Sequence, residues 1–145
     1  MNGPSFNPHG NPYGASDRNS NPSGPAQDEK LMAAAAHASI LLPHAGLLMA
    51  LVLWLANSNS GRSPFVAFQA KQAFFFHLAA VALEWLVVVL GVVFAFSTFG
   101  LGWALMVPVL GLTHIVASIY GVIGAMETFQ GRDFRYPVIG SSLKP

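Results

Sequence analysis

The chain of 145 residues is short, strongly apolar and almost free of net charge. Hydrophobic residues make up 53% of it and charged residues 9%, with a formal net charge of +1. A soluble domain carries about 25% charged residues, so the composition predicts a small integral membrane protein. The charge balance argues against a nucleic-acid partner, which needs clustered Lys and Arg. The lack of cysteine excludes disulfides and thiolate metal sites.

The first thirty residues are rich in Asn, Pro, Gly and Ser. An Asn-Pro-x-Gly unit occurs at 7–10, 11–14 and 21–24. Each unit favours a turn, because proline fixes φ and glycine leaves it free. Such a segment buries too little apolar surface to offset its ordering entropy. We therefore predict a disordered N-terminal head over residues 1–30, with a docking motif for a partner as the alternative.

Three apolar runs follow the head, at about 31–56, 73–97 and 103–126. As helices, each is long enough to cross a hydrocarbon core of about 30 Å. Pro43 is expected to kink the first of them. The sequence thus predicts an all-α membrane protein with three transmembrane helices. Its membrane domain covers 31–139, and a C-terminal tail covers 140–145.

The distribution of basic residues predicts an orientation. Three spans put the head and the second loop on one side, and the first loop and the tail on the other. The second pair carries Arg62, Lys71, Arg132, Arg135 and Lys144, against two basic residues in the first pair. Because basic segments are retained on the cytoplasmic side, we expect a cytoplasmic first loop and C-terminus.

Ionisable residues recur at one depth of the three predicted spans. His44, Glu84 and His114 each lie near the middle of their span. A charge at that depth costs about 2.5–3.5 kcal/mol, so these side chains need partners. We expect them to form a midplane polar cluster that holds the helices together. His44 and His114 as axial haem ligands are one alternative, and a proton path through Glu84 is another.

Signatures of catalysis are missing from the sequence. It contains no His-Glu-x-x-His zinc motif, no nucleophile elbow and no phosphate-binding loop. Glu84 is the only carboxylate within the predicted spans, which excludes paired-carboxylate chemistry there. We therefore expect no catalytic residue, no metal site and no enzyme activity. His37 and His77 lie nearer to the predicted interfaces, where we expect hydrated or capping histidines.

A polar loop before the second span and a polar tail after the third carry a further set of candidate residues. They are Ser63, Pro64, Phe65, Lys71 and Gln72 in the loop, and Arg132, Arg135 and Tyr136 in the tail. The aromatic side chain of Phe65 suits the membrane interface, and the basic residues suit anionic lipid headgroups. We expect a local clasp between the loop and the tail.

Short motifs of the chain resemble the Tic20-like family of small bacterial membrane proteins. They are Ala36–Ser39, Ser63–Val66, Ala70–Ala73 and Gly131–Pro137. The namesake of that family is a subunit of the chloroplast inner-envelope import translocon. The resemblance extends from about Leu31 to Ile139. It implies a protein of the bacterial inner membrane without an assigned reaction.

Taken together, these patterns predict a non-enzymatic integral membrane protein that assembles or stabilises a larger membrane complex. Its expected partners are the lipid bilayer and larger membrane subunits. A haem-binding subunit that uses His44 and His114 is the first alternative. A small translocation or transport component, with Glu84 lining the path, is the second.

Overall fold

The computed structural model describes residues 24–42 and 44–143, and this part of the chain is helical, without strands. The helices are α1 (Gln27–Ala38), α2 (Ala45–Ser60), α3 (Pro64–Ser97), α4 (Gly102–Phe129) and α5 (Ile139–Ser142), with a 3-10 turn at Ser39–Leu41. The all-α prediction is confirmed. The predicted head lies largely outside the described residues, and residues 27–30 form the first turn of α1.

Two of these helices, α3 and α4, are long and apolar enough to cross a membrane. They contain 34 and 28 residues, and their most apolar windows have mean hydropathies of 2.5 and 1.8. At 1.5 Å per residue α4 is about 42 Å long, which exceeds a hydrocarbon core of about 30 Å. A turn at residues 98–101 joins them into an antiparallel pair.

The prediction of three transmembrane helices is wrong, because the first apolar run does not form one long helix. It is divided into α1, of 12 residues, and α2, of 16 residues. These helices are about 18 and 24 Å long, so neither crosses the hydrocarbon core. Between them His44 has a φ of 29°, a conformation that interrupts the helix. The kink predicted at Pro43 falls on a residue outside the described part.

Helix α1 runs antiparallel to α4, starting at the end where α4 finishes. A β-carbon added at Gly131, just after α4, would meet the side chain of Lys30 near the start of α1. A β-carbon added at Gly121, about two turns before the end of α4, would meet Ile40 just after α1. Glycine thus permits close approach of the two helices, as small residues do between membrane helices.

Helix α2 then returns to the end from which α1 started. It lies antiparallel to α3, with the rings of Trp54 and Phe74 5.6 Å apart, and Gly61 turns the chain into α3 with a φ of 61°. The two helices form a re-entrant hairpin, and we call residues 39–42 and 44 its apex. The end of the bundle where α1 and α3 begin and α2 and α4 finish is called the polar end below. The start of α1 and the tail share this end, whereas three spans would separate them.

Much of the segment predicted as a loop between the first two spans is helical. Helix α2 continues to Ser60, and α3 begins at Pro64 rather than near residue 73. Ser63 caps α3 by accepting a hydrogen bond from the Val66 amide at 3.2 Å. Proline at the first helical position lacks only an amide that would have no partner within the helix. Gln69 and Gln72 consequently lie on α3, one turn apart.

The part of α3 and α4 beyond the apex exposes apolar side chains. Phe96 is 83% exposed, and Phe99, in the turn, is fully exposed with a φ of 51°. From Trp85 to Leu112 the sequence contains no Asp, Glu, Lys, Arg or His. A surface of this composition fits the hydrocarbon of a bilayer.

The re-entrant hairpin predicts which residues share a side of the membrane. The chain has no native cysteine, so single cysteines can be placed at Asp28, Ser58, Thr98 and Gln130 and labelled with an impermeant thiol reagent in sealed vesicles. Asp28→Cys, Ser58→Cys and Gln130→Cys should react from one side and Thr98→Cys from the other. Labelling of Asp28→Cys from the same side as Thr98→Cys would contradict the hairpin.

Candidate functional site

A buried hydrogen-bonded network at the polar end is centred on His37 of α1, whose side chain is 0% exposed. Its Nδ1 lies 2.9 Å from the Tyr136 hydroxyl, and its Nε2 lies 3.1 Å from Gln69 Oε1. Gln69 Nε2 donates to Asp133 Oδ1 at 2.7 Å, which fixes the orientation of the amide. His37 Nε2–H therefore donates to Gln69, and the Tyr136 hydroxyl donates to Nδ1. We call these four residues the His37 network.

The network continues to the protein surface through the tail. Arg135 donates from Nε and Nη2 to Asp133 Oδ2 at 3.1 and 3.0 Å. Its guanidinium lies 5.2 Å from the ring centroid of Phe68 on α3. Gln72 Nε2, also on α3, donates to the Phe134 carbonyl at 2.9 Å. The tail is thus held against the start of α3 by both charged and neutral groups.

Aromatic packing holds Tyr136 in place. Its ring is stacked on Phe76 of α3, with centroids 3.9 Å apart and an interplanar angle of 8°. Phe134 meets the His37 ring edge-on at a centroid distance of 5.5 Å. Burial raises the pKa of Tyr136 far above its ordinary value. The hydroxyl therefore stays protonated and remains a donor to His37.

His37 lies outside the two spanning helices, and burial lowers its pKa from 6.5 to about 4. The hydrogen bond to Gln69 opposes this shift, and the nearby His77 adds to it. His37 is therefore neutral at pH 7, which agrees with its donation through one nitrogen and acceptance through the other. The prediction that His37 is a hydrated or capping histidine is wrong.

The structure brings together only some of the candidate loop and tail residues. Gln72, Arg135 and Tyr136 contact across the start of α3 and the tail, as described above. Ser63 and Pro64 start α3, the half-buried Phe65 lies in its first turn, and Lys71 lies two turns further along the helix. Arg132 instead pairs with Glu127 at the end of α4, at 3.0 Å.

Sequence reasoning did not link Gln69 or Asp133 to His37, although these two residues connect it to the surface. Gln69, Gln72 and Phe76 lie at positions i, i+3 and i+7, so they share one face of a helix. This spacing becomes informative only when the helix is extended back to Pro64. Asp133 gives no such signal, because it lies in an irregular segment after α4.

A second site lies at the hairpin apex, where a small cavity of about 20 Å³ separates the apex from α3 and α4. Four ionisable side chains line it, together with apolar groups: His44, His77, Glu84 and His114. His114 Nδ1 lies 3.0 Å from Glu84 Oε1, which joins α4 to α3. His44 lines the same cavity, and its ring packs edge-on against Trp85 at 6.4 Å.

His77 also faces this cavity, although the sequence predicted a hydrated or capping residue. That prediction is wrong, because the side chain is only 2% exposed. Neither of its ring nitrogens has a hydrogen-bond partner among the described residues. Backbone groups of His37 and Gly46 lie near the ring without hydrogen-bond geometry. His77 is therefore a buried polar group that the protein itself leaves unpaired.

The apex cavity does not fit haem. Its volume admits about one water molecule, so a porphyrin between His44 and His114 would require the helices to separate. Within the described residues, no three His, Asp or Glu side chains are placed to hold a metal ion. The chemistry that the present geometry supports is hydrogen bonding and proton exchange.

Removal of the Tyr136 hydroxyl tests the importance of the His37 network. Tyr136→Phe keeps the stack on Phe76 but leaves His37 Nδ1 buried without a partner, which costs about 1–3 kcal/mol. We expect a lower melting temperature in mild detergent. The matched control is Tyr120→Phe, because Tyr120 is 41% exposed. Equal shifts in the two variants would contradict a structural role of the network.

The lowered pKa of His37 predicts a loss of stability in acid. The unfolded chain binds a proton near pH 6.5 and the folded chain only near pH 4. Stability from the neutral imidazole is therefore fully present above about pH 6.5 and is lost as the pH falls toward about 4. Melting temperatures measured across this range should fall more steeply for the unmodified chain than for His37→Gln. Parallel curves would show that His37 does not titrate as described.

Comparison with known proteins identifies the family. A family model described as the magnetosome magnetite crystal formation protein family, MamF/MmsF, matches residues 28–143. No curated protein and no solved structure matches the chain. The assignment to the Tic20-like family is therefore wrong, and the motifs that suggested it all lie within the matched residues. The chain belongs to the MamF/MmsF magnetosome protein family.

Proposed function

We propose that this protein is an accessory subunit of the magnetosome membrane that helps to hold together the assembly in which magnetite crystals form. Family membership implies a magnetosome membrane protein with a part in magnetite crystal formation. The two apolar helices, α3 and α4, fit a membrane location. The structural role goes beyond what the family implies. It is argued from the hydrogen bonds that the buried polar side chains make.

The observation that carries this role is that the His37 network serves the fold itself. His37, Gln69 and Tyr136 are buried, and their hydrogen bonds join α1, α3 and the tail. Surface grooves on α3 and α4 are instead apolar. One of about 490 Å³ lies between α3 and α4, and Phe76, Leu83 and Val116 are among its lining residues. Such a surface suits lipid or the helix of another subunit rather than a polar substrate.

The two ends of the α3–α4 pair support an orientation. Lys30, Arg62, Lys71, Arg132 and Arg135 lie at the polar end, whereas the turn at 98–101 has no charged residue. By the positive-inside rule this distribution favours a cytoplasmic polar end and a turn in the magnetosome lumen. A turn without carboxylates offers no anionic ligands to iron, which favours an accessory role over direct contact with the mineral.

A reaction or a transport path finds less support. The apex cavity is too small for a substrate larger than water. Beyond Glu84 and His114, the stretch from Trp85 to Leu112 has no ionisable side chain that could continue a path to the turn. We therefore propose a protein without catalytic activity and without a resident cofactor.

Purification from isolated magnetosomes tests the accessory role. After extraction in mild detergent, the protein should co-purify with other membrane subunits in fixed ratio, and cells that lack it should form altered crystals. Gly111→Leu is an informative variant, because a β-carbon there meets nothing within 4 Å in the chain itself. It should reduce co-purification if α4 packs on a partner. The matched control is Val107→Leu, one turn away and 59% exposed.

Recovery of the protein alone, or only as a homo-oligomer, would contradict the proposal. So would normal crystals in cells from which the protein has been removed. Loss of folding in Gly111→Leu, seen as loss of helical circular dichroism, would show instead that the space beside Gly111 is filled by the chain itself.

A further inference from the structure

We propose that the apex cavity is a proton-binding site inside the membrane, built around one water molecule that His77 shares with the Glu84–His114 pair. This inference does not depend on the accessory role. It rests on the cavity, on the unpaired His77 and on the contact between Glu84 and His114.

The dimensions of the cavity fit a single water. Its volume of about 20 Å³ exceeds the 10–15 Å³ or so that one water needs. A buried water also needs two to four polar partners. Glu84, His114 and His77 all line the cavity and supply them, and His44 adds a fourth polar group at the apex.

His77 is the observation that points to a ligand. His77 is only 2% exposed, yet both of its ring nitrogens lack a hydrogen-bond partner in the described residues. A buried polar group without a hydrogen bond is destabilising, so such groups are almost always paired with protein or water. A water in the adjoining cavity, which His77 lines, is the partner that the structure offers to this imidazole.

Glu84 and His114 supply a proton that can move. Their nearest oxygen and nitrogen are 3.0 Å apart, which is a hydrogen-bond distance. Transfer breaks the Glu84 O–H bond and forms the His114 Nδ1–H bond, giving a carboxylate and an imidazolium.

The titratable groups around the site come from every element packed on it. They are His77 and Glu84 on α3, His114 on α4, His44 at the apex and, behind His77, His37 on α1. Between the cavity and the turn at 98–101, α3 and α4 contain no ionisable side chain. The site therefore holds a proton within the membrane, and no titratable side chain continues it toward the turn.

Infrared spectroscopy of the full chain in lipid nanodiscs tests this site. A protonated carboxyl band should be present, should shift within minutes in D₂O, and should be missing from the spectrum of Glu84→Gln. The spectrum of the unmodified chain minus that of Glu84→Gln separates Glu84 from the carboxyl groups at the polar end. In His77→Leu the frequency of this band should rise, because the Glu84 carboxyl group loses a water-mediated hydrogen-bond partner.

Thr113→Val, next to His114, is the matched control and should leave the band frequency unchanged. If His77→Leu does not fold, His77→Asn provides the second variant, which retains a polar group and should shift the frequency less. A Glu84 band that is missing, does not exchange in D₂O or is insensitive to both His77 variants would overturn the proposal. Because this readout is independent of crystal growth, its failure would leave the accessory role standing.

Discussion

The two hydrogen bonds of His37 are the constraint on which the rest of the structure depends. An imidazole that is completely buried must satisfy both nitrogens, and here the partners are Tyr136 in the tail and Gln69 on α3. These contacts hold α1 at the end of the bundle where α3 begins and α4 finishes. Since α2 also has to finish there to enter α3, the first apolar run becomes a re-entrant hairpin. Because the hairpin returns to the end where it started, only α3 and α4 remain to span the membrane.

The sequence was sufficient to predict α3 and α4 as membrane helices, because long uncharged apolar runs have few other stable forms. It was not sufficient for the first run, since mean hydropathy does not record where a chain reverses. Gly46, close behind Pro43 and His44, is compatible with a reversal as well as with a kink. The partners of His37 lie 32 and 99 residues away, so no local pattern reveals them. The contact between Glu84 and His114 could be predicted, because each is an ionisable residue within an otherwise apolar run of the sequence.

The two polar sites differ in a way that bears on function. In the His37 network each nitrogen of the central imidazole is paired, so the network contributes rigidity to the polar end. At the apex, His77 is buried without a partner beside a cavity of water size. A group that the fold leaves unpaired is where exchange with water or protons is expected. The MamF/MmsF family assignment gives the membrane and the process, and the structure adds a rigid polar end and an exposed apolar surface on α3 and α4.

The distance between the start of α1 and the end of α4 tests the central claim most directly. Spin labels on Asp28→Cys and Gln130→Cys, in a chain with no other cysteine, can be measured by double electron–electron resonance in nanodiscs. The re-entrant hairpin predicts a single short distance, on the order of 20 Å, because Lys30 lies beside Gly131. A distance of about 40 Å, the length of α4, would place the two positions on opposite sides of the membrane and contradict the account.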